Sequence, residues 1–301
     1  MARLLLLIPT TSYRVKDFLA AAEKAGVRVT IGSDDDGVLR TFQSCGTLTL
    51  DFETLDKNIS TIQAFHREHA LTSIIAVDDQ TSLLAAKASE SLGFRHNSFE
   101  SVQTASNKSL FRHCISSAGL PSPAFKIISP GQEVITLTSG TDYPCVLKPV
   151  SRSASQGVIR ADNPTGFKSA CERIAKLVPG EDIIVEDFIP GQEVSLEGVL
   201  VKGLLKTLAI FDKPEPLDGP YFEETIYVTP SRHNDEVQAS IHRIVEEAAA
   251  AIGLKEGPIH AELRVCPSET FVNEKGPWLI ELAARSIGGL CSRSLTFQDG
   301  R

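Results

Sequence analysis

The sequence predicts an α/β protein in two parts: an N-terminal domain built on a parallel sheet, followed by a mixed α+β domain. Three observations predict it. Apolar strand-like runs alternate with amphipathic helical stretches up to about Gly93, as a parallel sheet covered by helices requires. Gly119, Pro121 and Pro123 then punctuate the chain as a connection between domains does. From Tyr143 the pattern changes to strands joined by turns, with two helices inserted.

Leu4–Ile8 is a continuous apolar run and reads as a buried first strand. The apolar stretch is too short for a secretory signal, and no small-residue cleavage site follows it. Val15–Ala25 is a helix with Phe18, Leu19 and Ala22 on one face, and Gly26 ends it. Val27–Ile31 and Thr47–Phe52 read as strands, Leu55–His69 as a helix, Ser73–Val77 as a strand and Thr81–Leu92 as a helix ended by Gly93. Ser98–Ala118 reads as one longer helical stretch. Thr165–Leu177 and Asp235–Ile252 are the two inserted helices. No internal repeat and no low-complexity segment is present.

A parallel-sheet domain invites a dinucleotide reading, which the residues do not support. The loop after the first strand, Pro9-Thr10-Thr11-Ser12-Tyr13-Arg14, has no glycine to let a backbone approach a pyrophosphate. Asp34–Asp36 after the second strand imitates a ribose-binding acid only weakly. Helix capping by Thr11 or Ser12 is the reading taken for the first loop, with a small anion or substrate carboxylate at that helix start as the alternative.

The bulk properties bound the function. A chain of 301 residues accommodates two domains, and 42% hydrophobic with 23% charged residues is ordinary for a globular protein. A formal net charge of −8 argues against nucleic acid as the main partner. No apolar run approaches the roughly 20 residues that a membrane-spanning helix needs. The six cysteines, Cys45, Cys114, Cys145, Cys171, Cys266 and Cys291, are scattered without a Cys-x-x-Cys pair, which suits free thiols and a cytoplasmic location. His66 and His69 share a helix face, either as a partial metal site or as a solvated surface.

The chemistry concentrates after Lys108. Lys148 lies inside the apolar strand Cys145–Val150, which is costly unless its ammonium meets an anion or reaches water. The small polar loop Ser151-Arg152-Ser153-Ala154-Ser155-Gln156-Gly157 follows, able to turn backbone amides toward phosphate or to be an ordinary hairpin. In Ile183–Gly198, Pro190-Gly191 divides two strands. Glu193, Ser195 and Glu197 alternate with Val194 and Leu196, lining either solvent or a cleft. Glu262 and Glu281 lie in two further strands around a turn containing Asn273 and Gly276-Pro277. A hairpin with Val265 opposite Trp278 sets Glu262 opposite Glu281. Opposed like charges are unfavourable unless a cation lies between them, and Mg2+ takes carboxylate oxygens together with phosphates. Arg285 follows Glu281 at even spacing and would share its face if that strand continued. Phe211–Pro214 through Asp218–Pro220 and Glu223–Thr225 form a charged, proline-containing stretch, either a solvated loop or a substrate-facing one.

Together Asn107-Lys108, Val146-Leu147-Lys148-Pro149, the polar loop, Val185-Glu186-Asp187-Phe188-Ile189-Pro190-Gly191-Gln192-Glu193, Glu262 and Glu281-Leu282-Ala283-Ala284-Arg285 resemble the ATP-grasp superfamily, in its carboxylate–amine ligase and biotin-carboxylase-like branch. The resemblance runs from about Lys108 to the end. Residues 1–97 resemble the Rossmann-like domain that precedes ATP-grasp domains. It implies an ATP-grasp domain over 98–301, with a linker helix at 98–119 and an ATP cleft between subdomains at about 120–187 and 190–301.

The resemblance also implies roles. Lys108 and Lys148 would contact the α- and β-phosphates, and Lys148 would share in catalysis. The loop carrying Ser151, Ser153, Ser155 and Gly157 would close over them. Glu186 with the backbone of Phe188 and Ile189 would hold adenine, and Glu193 would accept ribose hydroxyls. Glu262 and Glu281 would bind Mg2+, or Mn2+ in its place, and Arg285 would stabilise an acyl-phosphate or tetrahedral intermediate. The implied activity is an ATP- and Mg2+-dependent carbon–nitrogen ligase acting on small-molecule carboxylates and amines, with no nucleic-acid or membrane partner and a homodimer allowed. The alternatives are a biotin-carboxylase-like bicarbonate-activating enzyme, a kinase-like phosphotransferase, and a non-catalytic ATP-binding protein. Two features depart from the family pattern. Ala283 stands where a metal-binding asparagine is common, and family members continue beyond the position of Arg301, so a chain truncated at its C-terminus is one expectation.

Overall fold

The computed structural model describes residues 2–35, 46–52, 54–132, 138, 140–223, 226–266 and 276–296. Cys45, Asp36, Asn273, Glu224 and Thr225 lie outside the described residues. The chain divides into two compact units. Unit 1 is Met1–Gln103, Gly253–Pro258 and Ala284–Arg301; unit 2 is Thr104–Ile252 and Ile259–Ala283.

Unit 1 is built on four parallel strands, β1 (Arg3–Leu7), β2 (Arg28–Ser33), β3 (Thr47–Thr49) and β4 (Ser73–Ala76), in the order β3-β2-β1-β4. The unbroken apolar run of β1 follows from burial on both faces. Leu4 and Leu6, with Ile8 just beyond, join a cluster with Val15, Phe18, Leu19 and Ala22 of α1 (Val15–Lys24). Leu5 and Leu7 join Ile62 of α2 (Leu55–Glu68) and Leu84, Ala85 and Ala88 of α3 (Asp79–Ser91) on the other face. Each such leucine contributes about 1.5–3 kcal/mol when fully buried.

Two local expectations are corrected. Neither Thr11 nor Ser12 caps α1. Its N-cap residue is Arg14, without a side-chain cap, and the Ser12 hydroxyl accepts from the Arg14 N–H at 3.4 Å. The helix begins at Val15, too far along for those hydroxyls to reach its first free N–H groups. The helical stretch expected over Ser98–Ala118 is two helices, α4 (Phe99–Ser106) and α5 (Lys108–Ser117). Asn107 leaves helical geometry, and its side chain accepts from the Leu110 N–H at 3.0 Å, capping α5. His66 accepts from the Leu71 N–H at 3.1 Å and meets the ring of Phe94 edge-on, which fastens the end of α2 to the next loop.

Unit 2 holds two four-stranded sheets. The first is β5 (Phe125–Ile128), β6 (Cys145–Pro149), β7 (Ile159–Ala161) and β8 (Ile183–Asp187), antiparallel in the order β5-β8-β6-β7. Helix α6 (Pro164–Leu177), with Asn163 as cap and Pro164 in its first turn, lays Phe167, Ala170, Cys171 and Ile174 on one face of it. The second sheet is β9 (Gln192–Val201), β10 (Leu204–Asp212), β11 (Glu256–Val265) and β12 (Trp278–Ala283), ordered β10-β9-β11-β12. Helix α7 (Asp235–Ala251) packs on β9, β10 and β12. Its fully buried residues Ile241, Ile244, Val245 and Ala248 follow the i, i+3, i+4, i+7 spacing of one helix face.

Among the described residues, Gly191, between β8 and β9, has the tightest backbone approach of any glycine. Its φ is +112°, and a Cβ there would lie 2.4 Å from the Val265 carbonyl oxygen, a backbone atom that cannot yield cheaply. Gly191→Ala is expected to destabilise the protein by about 2 kcal/mol or more, read as a drop in the urea midpoint. An unchanged midpoint would show that this close approach carries no weight.

Candidate functional site

The strand alternation of the first sheet builds one wall of a cleft within unit 2. On β6, Cys145 and Leu147 enter the core under α6, so Val146 and Lys148 face the other way. On β8, Ile183 and Val185 enter the core, and Glu186 faces the cleft. The register sets Val146 beside Glu186 and Lys148 beside Ile184. Lys148 Nζ lies 2.7 Å from Glu186 Oε2, and Arg112 Nε of α5 donates to Glu186 Oε1 at 2.7 Å. Lys148 thus has the anionic partner its apolar strand requires.

Burial by itself would raise the Glu186 pKa, but the Arg112 and Lys148 charges override it and hold the carboxyl at about 2, below its ordinary 4.5. Its contribution to stability is therefore complete above pH 4.5 and is lost as the pH falls toward 2, a difference of about 3 kcal/mol. Denaturation midpoints measured between about pH 5 and 2.5 should fall more steeply for the unsubstituted protein than for Glu186→Gln. Parallel curves would refute this.

The second sheet supplies the opposite wall. Glu193, Ser195 and Glu197 of β9 are all buried, so the solvent-facing alternative for this face is excluded. His260, Glu262 and Arg264 of β11 meet them. Arg264 Nε donates to Glu193 Oε2 at 3.1 Å, and His260 Nδ1 lies 2.5 Å from Glu197 Oε1 with Nε2 3.3 Å from Glu262 Oε1. Lys213, just past β10, donates from Nζ to Glu193 Oε1 at 2.7 Å and to Glu262 Oε1 at 3.1 Å. Arg264, Glu193, Lys213, Glu262, His260 and Glu197 thus form a line of alternating charge. Burial would lower the His260 pKa, but hydrogen bonds to Glu197 and Glu262 push it up to about 9.

Arg112, His260 and Arg264 were not singled out in the sequence, and Lys213 entered only as part of the charged stretch Phe211–Pro214. Their signal was charge inside otherwise apolar strands and helix faces, the feature that did single out Lys148. The solvated-loop alternative is corrected where the stretch begins: Phe211, Asp212 and Lys213 are almost fully buried. Asp212 accepts from Ser231 Oγ at 2.6 Å and from the Arg232 N–H at 2.8 Å. Further on, Phe222 lines the cleft.

Glu262 and Glu281 are cross-strand partners, reached by a different register from the expected one. Arg264 pairs with Trp278 and Leu263 with Leu279, and a bulge at Ile280 then brings Glu262 opposite Glu281. Without the bulge, Leu279 and Glu281 would share a face. With it, Leu279 and Leu282 are fully buried while Ile280 and Glu281 both line the cleft. Arg112 binds the carbonyls at the bulge, donating from Nη1 to Leu279 at 3.0 Å and from Nη2 to Ile280 at 2.5 Å. Lys108 Nζ lies 4.0 Å from Glu281 Oε2 and also donates to the Arg152 carbonyl. No group of three or more His, Cys, Asp or Glu residues poised for a metal occurs among the described residues.

The cleft is open to solvent and brings together Lys108, Lys148, Ser155, Glu186, Phe188, Ile189, Glu193, Glu262 and Glu281. The Phe188 ring has the Arg160 guanidinium 4.2 Å and the Arg264 guanidinium 5.1 Å from its centroid. Of the polar loop, Ser155 lines the cleft, whereas the Ser151 hydroxyl donates to Glu181 Oε2 at 2.6 Å. Ser153 and Gly157 are not among the lining residues.

Arg285 belongs to unit 1. β12 ends at Ala283, so the even-spacing argument from Glu281 does not extend to it. Its Nε donates to Asp79 Oδ1 at 2.7 Å, at the carboxyl end of β4. Beside it, Arg14 donates to the Val77 carbonyl at 2.8 Å and to the Ser286 hydroxyl, and the Gly289 N–H donates to Tyr13 Oη at 2.6 Å. Asp34, the weak ribose candidate, accepts from the Thr10 N–H at 2.8 Å.

No helix of the described residues is long and apolar enough to cross a membrane. The five described cysteines are free. Burial pushes the thiols of Cys145 and Cys171 up to about 11, which makes them inert packing groups.

Comparison with known proteins returns the same architecture. The chain is 25% identical to the L-amino acid ligase from Bacillus licheniformis, whose crystal structure superposes with a TM-score of 0.81 over 96% of this chain and 68% of that one. It is 24% identical over 225 residues to alanine–anticapsin ligase of Bacillus subtilis strain 168, covering 67% of this chain and 46% of that protein. D-alanine–D-alanine ligase of Bordetella petrii is 25% identical over 184 residues, covering 59% of this chain and 53% of that protein. The chain thus spans about half the length of these two relatives. The ATP-grasp N-terminal domain model matches residues 19–95, and the ATP-grasp domain model matches residues 141–294, more than half of the chain. The chain therefore belongs to the ATP-grasp domain family.

Proposed function

We propose that this chain is an ATP- and Mg2+-dependent ligase that activates a small-molecule carboxylate as an acyl phosphate for attack by an amine. The observation that carries this reading is the opposed Glu262–Glu281 pair in the same cleft as Lys148. The similarity to an L-amino acid ligase, an alanine–anticapsin ligase and a D-alanine–D-alanine ligase supports it.

Glu186 and the backbone of Phe188 and Ile189 hold adenine in the hinge between the two sheets. The Glu186 side chain, engaged by Arg112 and Lys148, fixes the Lys148 ammonium. Glu193 accepts ribose hydroxyls, since each carboxylate oxygen keeps a second lone pair beyond its bonds to Lys213 and Arg264. Lys108 and Lys148 neutralise phosphate charge, and the loop around Ser151, Ser153, Ser155 and Gly157 closes over the phosphates. Glu262 and Glu281 present hard oxygen donors with partly exposed side chains, which fits Mg2+ held by two carboxylates, phosphate oxygens and water. When bound, Mg2+ supplies charge neutralisation at the transferring phosphoryl group.

The chemistry has a physical motive. A carboxylate is a poor electrophile, and γ-phosphoryl transfer gives it a leaving group, which positioned cations assist by stabilising the charge. Phosphate release measured over a panel of amino acids and other carboxylates, with and without an amine, tests the reading. Release that requires both a carboxylate and an amine is the expected result. Turnover on bicarbonate alone would replace the ligase by a carboxylase, and ATP binding without any turnover would leave a nucleotide-binding protein.

A further inference from the structure

Both glutamates assigned to the metal already face a lysine. Lys108 Nζ is 4.0 Å from Glu281, and Lys213 Nζ is 3.1 Å from Glu262. Lys213 is the more constrained of the two. Its side chain is 2% exposed, and its Nζ lies 5.2 Å from the Tyr227 ring centroid. An ammonium so deep persists only with anionic partners. Among its partners are the two carboxylates that the reading above assigns to ribose and to metal. A divalent cation arriving at Glu262 would stand within ion-pair distance of this ammonium, where like charges repel strongly.

We propose that Lys213 is an internal counter-cation that holds Glu262 in the nucleotide-free protein, so that a divalent cation enters together with the nucleotide phosphates rather than before them. The polyphosphate charge supplies the attraction that the bare carboxylate pair lacks. Lys213 then withdraws toward Glu193, to which it already lies closer, at 2.7 Å against 3.1 Å for Glu262. It is a positioning residue that sets the order of binding. The proposal rests on Glu262 and Glu281 being the metal ligands.

The test is Mn2+ binding to the nucleotide-free, full 301-residue chain, read from the electron paramagnetic resonance signal of free Mn2+. Lys213→Met should bind Mn2+ about tenfold or more tighter than the unsubstituted protein, and Lys213→Arg should bind it as weakly as the unsubstituted protein. A purely structural lysine would give the opposite sign, because a loosened site loses metal affinity. Should Lys213→Met fail to fold, its combination with Glu193→Gln removes one buried charge of each sign and should show the same gain. Affinity unchanged or weakened in the folded variant overturns the proposal. Absence of Mn2+ binding to the unsubstituted protein even with ADP present overturns the metal assignment itself, and the proposal with it.

Discussion

Arg112→Met is expected to destabilise the protein by about 3–5 kcal/mol, the cost of leaving a buried charge without its partner. Arg112 is 1% exposed and is the one described side chain that joins Glu186 of the first sheet to the bulge carbonyls of the second. Methionine fills the volume but donates nothing. Glu186 would keep Lys148 alone, and two carbonyls at Leu279 and Ile280 would lose their donors. For a unit of this size the loss corresponds to a melting temperature lower by about 10 °C or more. Arg112→Lys keeps the charge but not the fork, and should fall between the two. A melting temperature within about 2 °C of the unsubstituted protein would refute the strut.

The second large effect concerns function. Glu281→Ala should leave the fold intact, because its side chain is about one-third exposed and its removal relieves the like-charge opposition with Glu262. It should nevertheless remove most of the thermal stabilisation that Mg-ATP gives. A ligand at about a hundred times its Kd stabilises by about 2.7 kcal/mol. Carboxylate-dependent phosphate release should fall by about 10²–10³-fold, the usual scale for losing one preorganised electrostatic contact. If Glu281→Ala keeps the full Mg-ATP shift, the metal assignment is wrong. If no nucleotide stabilises even the unsubstituted protein, the nucleotide reading fails as a whole.

Some features were legible locally. The strand at Leu4–Ile8 and the α1 face of Phe18, Leu19 and Ala22 pack as their spacing implies. Lys148 announced its need for an anion by lying in an apolar strand. Other features required the partner to be known. The helix break at Asn107 was missed because the helical pattern runs through it, although asparagine is a strong cap. The Glu262–Glu281 pairing was anticipated through a continuous register, and the bulge at Ile280 is what accommodates both that pairing and a buried Leu279. The polar alternation of Glu193, Ser195 and Glu197 left solvent and cleft equally open. Contacts with Lys213, His260 and Arg264, all distant in sequence, decide for the interior.

The sequence by itself determined the two-part α/β organisation, the order of the motifs and the chemical types available to the site. These follow from periodicity and residue chemistry, which are local properties of the chain. Only the tertiary structure decided which charges neutralise which. Arg112 with Glu186, Lys213 with Glu193 and Glu262, and Arg285 with Asp79 are separated by 74, 20 and 49, and 206 residues respectively. An ion pair over such separations depends on strand order, register and a single bulge. No local pattern encodes these, because the energy that selects them arises only once both partners are withdrawn from water.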